Sequence, residues 1–359
     1  MALDGWKEKL FQRYLLWQCR PARLQKYLKS VLPKPEQPGP VDRKKIRVAA
    51  LQVEFKLFKS PFAYIDEIHR RVREAREAGA VLVVFPEYNN LPLLGMLPGI
   101  EKLGEAKEEE KTGTAAEKNE EAEPGLAEVF AFMSPITASF VHTVFSSLAS
   151  AYGLHIMAGS YALLDKGNLV NRSFLYNAKG ELAGSQDKVH LLPVEYEWNL
   201  KRGTQVFVID TTLGKLALPV CMDATYYETF RLLELQGVEI VLLPIANLES
   251  YNYWLALRGI WPRVQESPLY GIKSALVGSL AGFTFTGRAG IFAPIELTAN
   301  HDGVLAEVEP YDREAMAVAD LDLEALVKLR RDHPWRDFNP NLYRRYFPGI
   351  YREIQKDGK

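Results

Sequence analysis

A chain of 359 residues, 47% hydrophobic and 25% charged, is long enough to bury a substantial core as one large domain or two ordinary ones. Lysine plus arginine (44) nearly balances aspartate plus glutamate (45), which leaves no overall field toward nucleic acid or an anionic membrane. Two cysteines, Cys19 and Cys221, exclude a disulfide framework and suit a reduced, cytoplasmic protein. Six scattered histidines without an HExxH or His/Cys cluster give no reason to expect a metal, and nothing calls for a cofactor. No apolar leader with a small-residue cleavage site opens the chain, and no window approaches the roughly 18 consecutive apolar residues of a membrane span, so a soluble protein is expected.

Residues 2–31 place Trp6, Leu10, Tyr14, Leu15 and Trp17 at spacings near three and four and are interrupted at Pro21, which predicts two amphipathic helices. Residues 1–45 hold eleven Lys/Arg against four Asp/Glu. A basic arm of this kind can lie on a membrane surface, but its aromatic face is expected to dock on the body of the protein or on a sister subunit. Four prolines within 32–42 predict a stiff linker that ends the arm.

The main domain is expected over 46–325. IRVAALQVE, from Ile46, alternates as a strand does; Ser60-Pro61 offers an N-cap and a first-turn proline; and Ile65, Ile68, Val72 and Ala75 line one helical face up to Gly79. Residues 80–85 form a continuous apolar run of strand length, and together these segments indicate a layered α/β domain with buried strands. Glu87 follows at once, and a carboxylate there is costly unless it is solvated, paired or functional. Residues 101–123, with nine glutamates and four lysines, read as a solvated, flexible insertion over about 100–125. A helix over 127–152 and a strand over 154–160 come next, followed by a strand, turn and strand through 168–189. A hairpin over 206–220 carries Cys221 at the end of its second arm. A helix over 226–237, a strand over 239–244, a long helix from about 250 to 270, and strands over 273–278, 290–293, 304–307 and 315–319 complete the domain. The tail, 326–359, is polar and aromatic and looks unlike a core.

Three segment ends thus each offer one reactive group: Glu87, Lys188 and Cys221. A free cysteine is most often a small buried hydrophobe. It becomes a nucleophile as the thiolate, and a carboxylate to take its proton plus an ammonium to hold a developing oxyanion would make acyl transfer feasible without a metal.

The sequence here resembles the nitrilase (carbon-nitrogen hydrolase) superfamily, whose catalytic residues are a glutamate, a lysine and a cysteine in that chain order. VVFPE places Glu87, DKVHLLP places Lys188 and LPVCMD places Cys221, and AALQVE, LRGIWPRVQESPLY, FTGRAGIFAP and AVADLDLE look like further landmarks over about 46–325. The resemblance implies a four-layer αββα sandwich, extended here by the N-terminal helices. It also implies a homodimer or higher homo-oligomer, formed through helices near the cysteine and embraced by the tail. In mechanism it implies that Glu87 takes the Cys221 proton and gives it to the leaving amine. Lys188 and the Met222 N–H would hold the oxyanion, and Glu87 would then activate water against an acyl-thioester. A second glutamate that positions substrate is either Glu195 or Glu197; Glu195, with Trp198 three residues on, fits the family spacing better.

Substrate choice is expected to rest on Met222, Thr225, Tyr226 and Tyr227 beside that glutamate. Thr225 and Tyr227 stand where relatives often carry Arg and Pro, whereas Asp223 and Glu228 fit the family. Thr225 cannot act as the carboxylate-clamping arginine of carbamoyl amino acid hydrolases, and Met222-Asp223 is closer to the amidase-like branches than to true nitrilases. Tyr226, Tyr227, Tyr251, Tyr253, Trp254 and Trp261 could line an aromatic pocket or serve as core or dimer contacts. The expected function is thiol-dependent hydrolysis of a non-peptide carbon-nitrogen bond in a small linear amide. A nitrilase or an acyltransferase using the same triad, and a non-catalytic scaffold that inherited it, are the alternatives. The expected partners are a small amide or nitrile and other copies of the chain, with no nucleic acid.

Overall fold

A computed structural model describes residues 5–100, 125–257, 259–280, 282–332 and 339–356. The charged insertion read at about 100–125 lies almost wholly outside the described residues.

The chain opens with α1 (Gly5–Gln18) and α2 (Pro21–Val31), parted as expected at Pro21. Strand β1 (Ile46–Glu54) leads into α3 (Pro61–Glu77), where the Ser60 hydroxyl accepts the Phe62 N–H at 3.2 Å and Ile65, Ile68, Val72 and Ala75 are fully buried. Next come β2 (Leu82–Val84), α4 (Leu126–Tyr152), β3 (His155–Asp165), β4 (Asn168–Tyr176), β5 (Leu182–Asp187) and the short α5 (Pro193–Glu197). The second half runs β6 (Ile209–Thr211), β7 (Gly214–Ala217), α6 (Tyr227–Leu235), β8 (Ile240–Ile245), α7 (Tyr253–Leu257) and α8 (Trp261–Glu266). It then continues through β9 (Tyr270–Leu280), β10 (Phe283–Phe285), β11 (Gly290–Phe292), β12 (Val304–Glu307), β13 (Ala315–Leu321), α9 (Leu323–Asp332) and α10 (Pro340–Lys356).

One mixed sheet runs β5-β4-β3-β2-β1-β9-β8-β7-β6, with β13 also on β1, β10 and β11 on β9, and β12 on β11. Its alternation shows how it folds on itself. In β1, Ile46, Val48 and Ala50 enter one core, which they share with Leu216, Ile240, Leu242 and Ile272 from the other half of the sheet. Ala49, Leu51 and Val53 point the other way, into a core under α3 and α4. In β8, Ile240 and Leu242 enter the shared core, while Val241, Leu243 and Ile245 pack outward with Phe230, Ile260 and Val264 of the helical side. Three cores of period-two strands between two helical faces are the four layers of an αββα sandwich. The sheet nearly closes: a Cβ on Gly184 of β5 would lie 2.5 Å from the Ile209 side chain of β6, at the opposite edge.

Several elements depart from expectation. The helix read through about 250–270 is two short helices, because Pro262 has no N–H to continue a ladder and instead occupies the first turn of α8. The hairpin's second strand stops at Ala217, and β10 has no counterpart in the sequence reading. The tail does reach the core through Leu326 of α9, next to Leu323 at the end of the main domain. The arm docks on α4 through Leu15, Cys19, Leu24 and Leu28, whereas its aromatic residues Trp6, Tyr14 and Trp17 stay exposed. By length and apolar composition α4 could cross a membrane, but Phe130, Ile136, Phe140, Val144 and Leu148 are buried inside this fold.

Candidate active site

Glu87, Lys188 and Cys221 meet at one end of the folded sheet, carried there by the ends of three strands. The chain leaves β2 through Phe85 and Pro86 and delivers Glu87 fully buried. Gly159 of β3, at φ +83°, lets the backbone pass under this turn; a Cβ there would lie 2.1 Å from the Pro86 carbonyl. Lys188 follows β5, and its N–H continues the β4–β5 ladder to the Asn171 carbonyl at 2.8 Å. Leu218–Val220 carry the chain from β7 to Cys221, which opens a 3₁₀ turn over Cys221–Thr225 at φ +46°. This left-handed backbone is rare outside glycine and marks a conformation held by its surroundings.

The fully buried Lys188 Nζ donates to Glu87 Oε1 at 2.8 Å and to Glu195 Oε1 at 2.9 Å. Asn171 Nδ2 also donates to Glu87 Oε1, at 2.9 Å, and the Ala246 N–H donates to Glu87 Oε2 at 2.9 Å. Glu195 Oε2 accepts the Leu192 N–H at 2.7 Å, and Glu195 Oε1 accepts the hydroxyl of Tyr88, itself at φ +53°. The Cys221 thiol is half-buried, lies close enough to Glu87 to feel its charge, and approaches Asn247 Oδ1 at 3.7 Å. Asp223, fully buried, ties the lysine segment to the cysteine segment. Its carboxylate accepts the His190 N–H at 2.7 Å, the Val189 N–H at 3.1 Å and the Val220 N–H at 2.9 Å.

Two carboxylates face one ammonium away from water, so a negative charge is left over. Burial pushes Glu87 up to about 7, with Lys188 opposing that shift and Glu195 adding to it. Burial alone would lower Lys188, but Glu87, Cys221 and Glu195 outweigh it and hold the ammonium charged. Burial and the Glu87 charge push the Cys221 thiol well up, against the pull of Lys188. The resting centre therefore holds a neutral thiol beside a carboxylate that can take its proton, with a fixed cation next to both.

Cys221 opens onto a cavity of about 370 Å³. Met222 and Thr225 line it, as do Leu192 and Pro193 just before Glu195. Glu195 enters the buried cluster while Glu197 is exposed to solvent. Tyr226 and Tyr227 do not reach the cavity: Tyr226 stacks on His190 at 4.1 Å, and Tyr227 lies near Arg231 and Arg263 on the helical face. Of the aromatic residues read as a pocket, Tyr251 lines it, whereas Trp254 is among the most exposed large side chains described. Tyr88, Asn171 and Asn247 went unread. Asn171 carried no signal of its own, because its strand also holds Asn168, Arg172 and Ser173. Among the described residues, no group of three or more His, Cys, Asp or Glu is placed to hold a metal.

Residues 47–266 match the family described as Carbon-nitrogen hydrolase. The chain is 26% identical over 317 residues to the probable hydrolase YhcX of Bacillus subtilis, a match covering 87% of this chain and 54% of that protein, so the chain spans about half of that relative's length. It is 25% identical over 303 residues to a nitrilase of Pyrococcus abyssi, covering 84% of this chain and 99% of that one. In fold it is similar to the amidase from Nesterenkonia sp. AN1, with a TM-score of 0.59 at 20% identity over 86% of this chain and 99% of that chain. The family match takes in more than half of the sequence, and the chain belongs to the carbon-nitrogen hydrolase family of the nitrilase superfamily.

Proposed function

We propose that this chain is a thiol amidohydrolase that cleaves a non-peptide carbon-nitrogen bond of a small linear amide. The observation that carries this reading is the buried Glu87–Lys188–Glu195 cluster, which shares one proton too few for its charges, set against the Cys221 thiol at the cavity wall. Glu87 accepts the thiol proton as Sγ bonds to the amide carbon, and the carbonyl oxygen gains the negative charge. Lys188 and the Met222 N–H stabilise that oxyanion. The intermediate collapses, the C–N bond breaks, and Glu87 passes its proton to the departing nitrogen, leaving an acyl-thioester. Glu87 then takes a proton from water as the water oxygen attacks the thioester. The C–S bond breaks, and the proton returns to Sγ as the acid leaves. Glu195 holds Lys188 in place, fixed by Tyr88 and the Leu192 N–H. The names of relatives support the same chemistry, and in a mutant of the Nesterenkonia amidase the acetamide moiety of fluoroacetamide is covalently added at the active site cysteine.

Intact-mass measurement across a panel of amides and nitriles tests this reading. An acyl adduct on Cys221, and a fall in turnover of roughly a thousandfold or more in Cys221→Ala, are expected. Undiminished turnover in that variant overturns the proposal. Hydroxylamine trapping of the adduct, compared with transfer to an added amine, separates hydrolase from acyltransferase.

A further inference from the structure

Strand β9 reads YGIKSALVGSL and places a lysine among small and apolar residues on its outward face, which it shares with Gly271, Ala275 and Val277. Lys273 is 2% exposed and lines the same cavity as Cys221 and Met222. Its Nζ has no hydrogen-bond partner among the described residues, since Glu307 Oε1 is 3.9 Å away, beyond hydrogen-bond range, and the Phe292 ring is at 5.0 Å. Glu307 is shared with Arg288 at 3.8 Å, so two cations face one carboxylate. Tyr251, also on the cavity wall, has a buried hydroxyl without a partner, and its ring is held between Arg288 at 5.2 Å and Tyr311 at 4.6 Å. Burial pulls Lys273 down to about 8, with Glu307 opposing the shift and Arg288 adding to it. A buried cation without a full partner is costly, and a donor without an acceptor is costly too.

The cavity is asymmetric. Leu248, Ser250 and Asn252 form an exposed rim together with Glu249, the one carboxylate among the lining residues, whereas Lys273, paired with Leu243 across β8 and β9, belongs with Leu243 and Ile245 to the buried part of the wall. In the proposed reaction the amine departs first while the acyl portion stays bonded to Cys221. The rim therefore suits the leaving group, and the closed end suits the acyl chain.

We propose that Lys273 and the Tyr251 hydroxyl form an anion subsite that holds a carboxylate on the acyl portion of the substrate. This rests on the reading of Cys221 as the nucleophile of that cavity. Apolar Leu243 and Ile245 contact the aliphatic stretch between the two ends, and the ligand carboxylate supplies the partner that Glu307 is too far away to be.

The test compares hydrolysis of the monoamide of glutarate with that of pentanamide, which has the same carbon count without the charge. The ratio of kcat/KM for the charged over the neutral amide is expected to fall about 10- to 100-fold in Lys273→Met, the usual range for a lost charge-assisted hydrogen bond. Lys273→Arg should restore part of that ratio, Tyr251→Phe should lower it by a few fold, and Glu307→Gln should raise it. Equal losses on both amides in Lys273→Met, or a ratio that falls in Glu307→Gln, overturn the subsite; the latter two variants keep the test open if Lys273→Met does not fold. Calorimetry of glutarate with Cys221→Ala, with and without Lys273→Met, separates the two layers. Glutarate binding that needs Lys273, without turnover of either amide, keeps the anion site and defeats the hydrolase reading. Turnover without preference for charge does the reverse, and absence of both defeats both.

Discussion

Glu87, Glu195 and Lys188 leave water together, and under the proposed mechanism their imbalance governs when the thiol can react. Because Glu87 is raised to about 7, it is protonated in acid and cannot accept the Cys221 proton there. Activity should therefore rise with pH through about 7, and the thiol, pushed far up, should add no alkaline limb below that of the substrate. Glu195→Gln removes one of the charges that raise Glu87, so the acid limb should move to lower pH by roughly one unit. Profiles of kcat/KM against pH for both proteins check this, and an unmoved limb would show that Glu195 does not act on Glu87. The same shift bears on stability. Between pH 4.5 and about 7 the folded chain holds a proton that the unfolded chain has released. The contribution is thus complete below 4.5 and is lost as pH rises through 7, by about 3 kcal/mol in all. The convergence of Glu87, Lys188 and Cys221 was legible because each follows a strand and matches a family pattern. Tyr88, Asn171 and Asn247 were not, because a single amide or phenol has no visible partner until distant strands are brought together.

At the level of elements, Gly159 shows how a strand without reactive groups sets the site. Its φ of +83°, and the mere 2.1 Å that would separate a Cβ from the Pro86 carbonyl, leave no room for a side chain under the Glu87 turn. Gly159→Ala should cost about 2–4 kcal/mol and displace Glu87, lowering kcat more than it raises KM. Chemical denaturation together with steady-state kinetics reads both effects, and a variant of unchanged stability would show that the turn relaxes freely. The strands that build this region were readable from their alternation, whereas the division of 250–270 into α7 and α8 turned on one proline set inside an otherwise helical pattern. Cys221 itself was expected at a strand end. It stands instead beyond the end of β7, on a left-handed turn, because the tie from Asp223 to the Val220 N–H draws the chain out of the ladder.

For the molecule as a whole, the four layers were implied by the resemblance and could not be derived from composition. The strands' period shows two buried faces, but which half of the sheet covers which is decided only by long-range pairing. The N-terminal arm, outside the resemblance, covers α4 with Leu15, Cys19, Leu24 and Leu28. Burial raises the Cys19 thiol to about 12, with Arg23 opposing, so this second cysteine is a packing group. Deleting residues 1–31 would uncover one of the most apolar helices in the chain. It should lower stability by about 4–8 kcal/mol, a large part of what a domain possesses. Thermal unfolding of the shortened and full chains measures this, and equal midpoints would mean that the arm is only an appendage.

The near-closure of the sheet has a consequence for how Lys188 and Cys221 keep their distance. Lys188 follows the edge strand β5, and Cys221 follows β7, the neighbour of the opposite edge strand β6. The two groups therefore stand on opposite banks of the seam where the sheet meets itself. Asp223 spans that seam from the cysteine bank to the Val189 and His190 amides, and Gln186 spans it again, donating to the Gln205 carbonyl at 2.7 Å and accepting the Phe207 N–H at 2.9 Å. The gap between ammonium and sulfur is thus gauged by the joint of the whole sheet, as a clasp sets the width of a ring, and not by the set of any single loop.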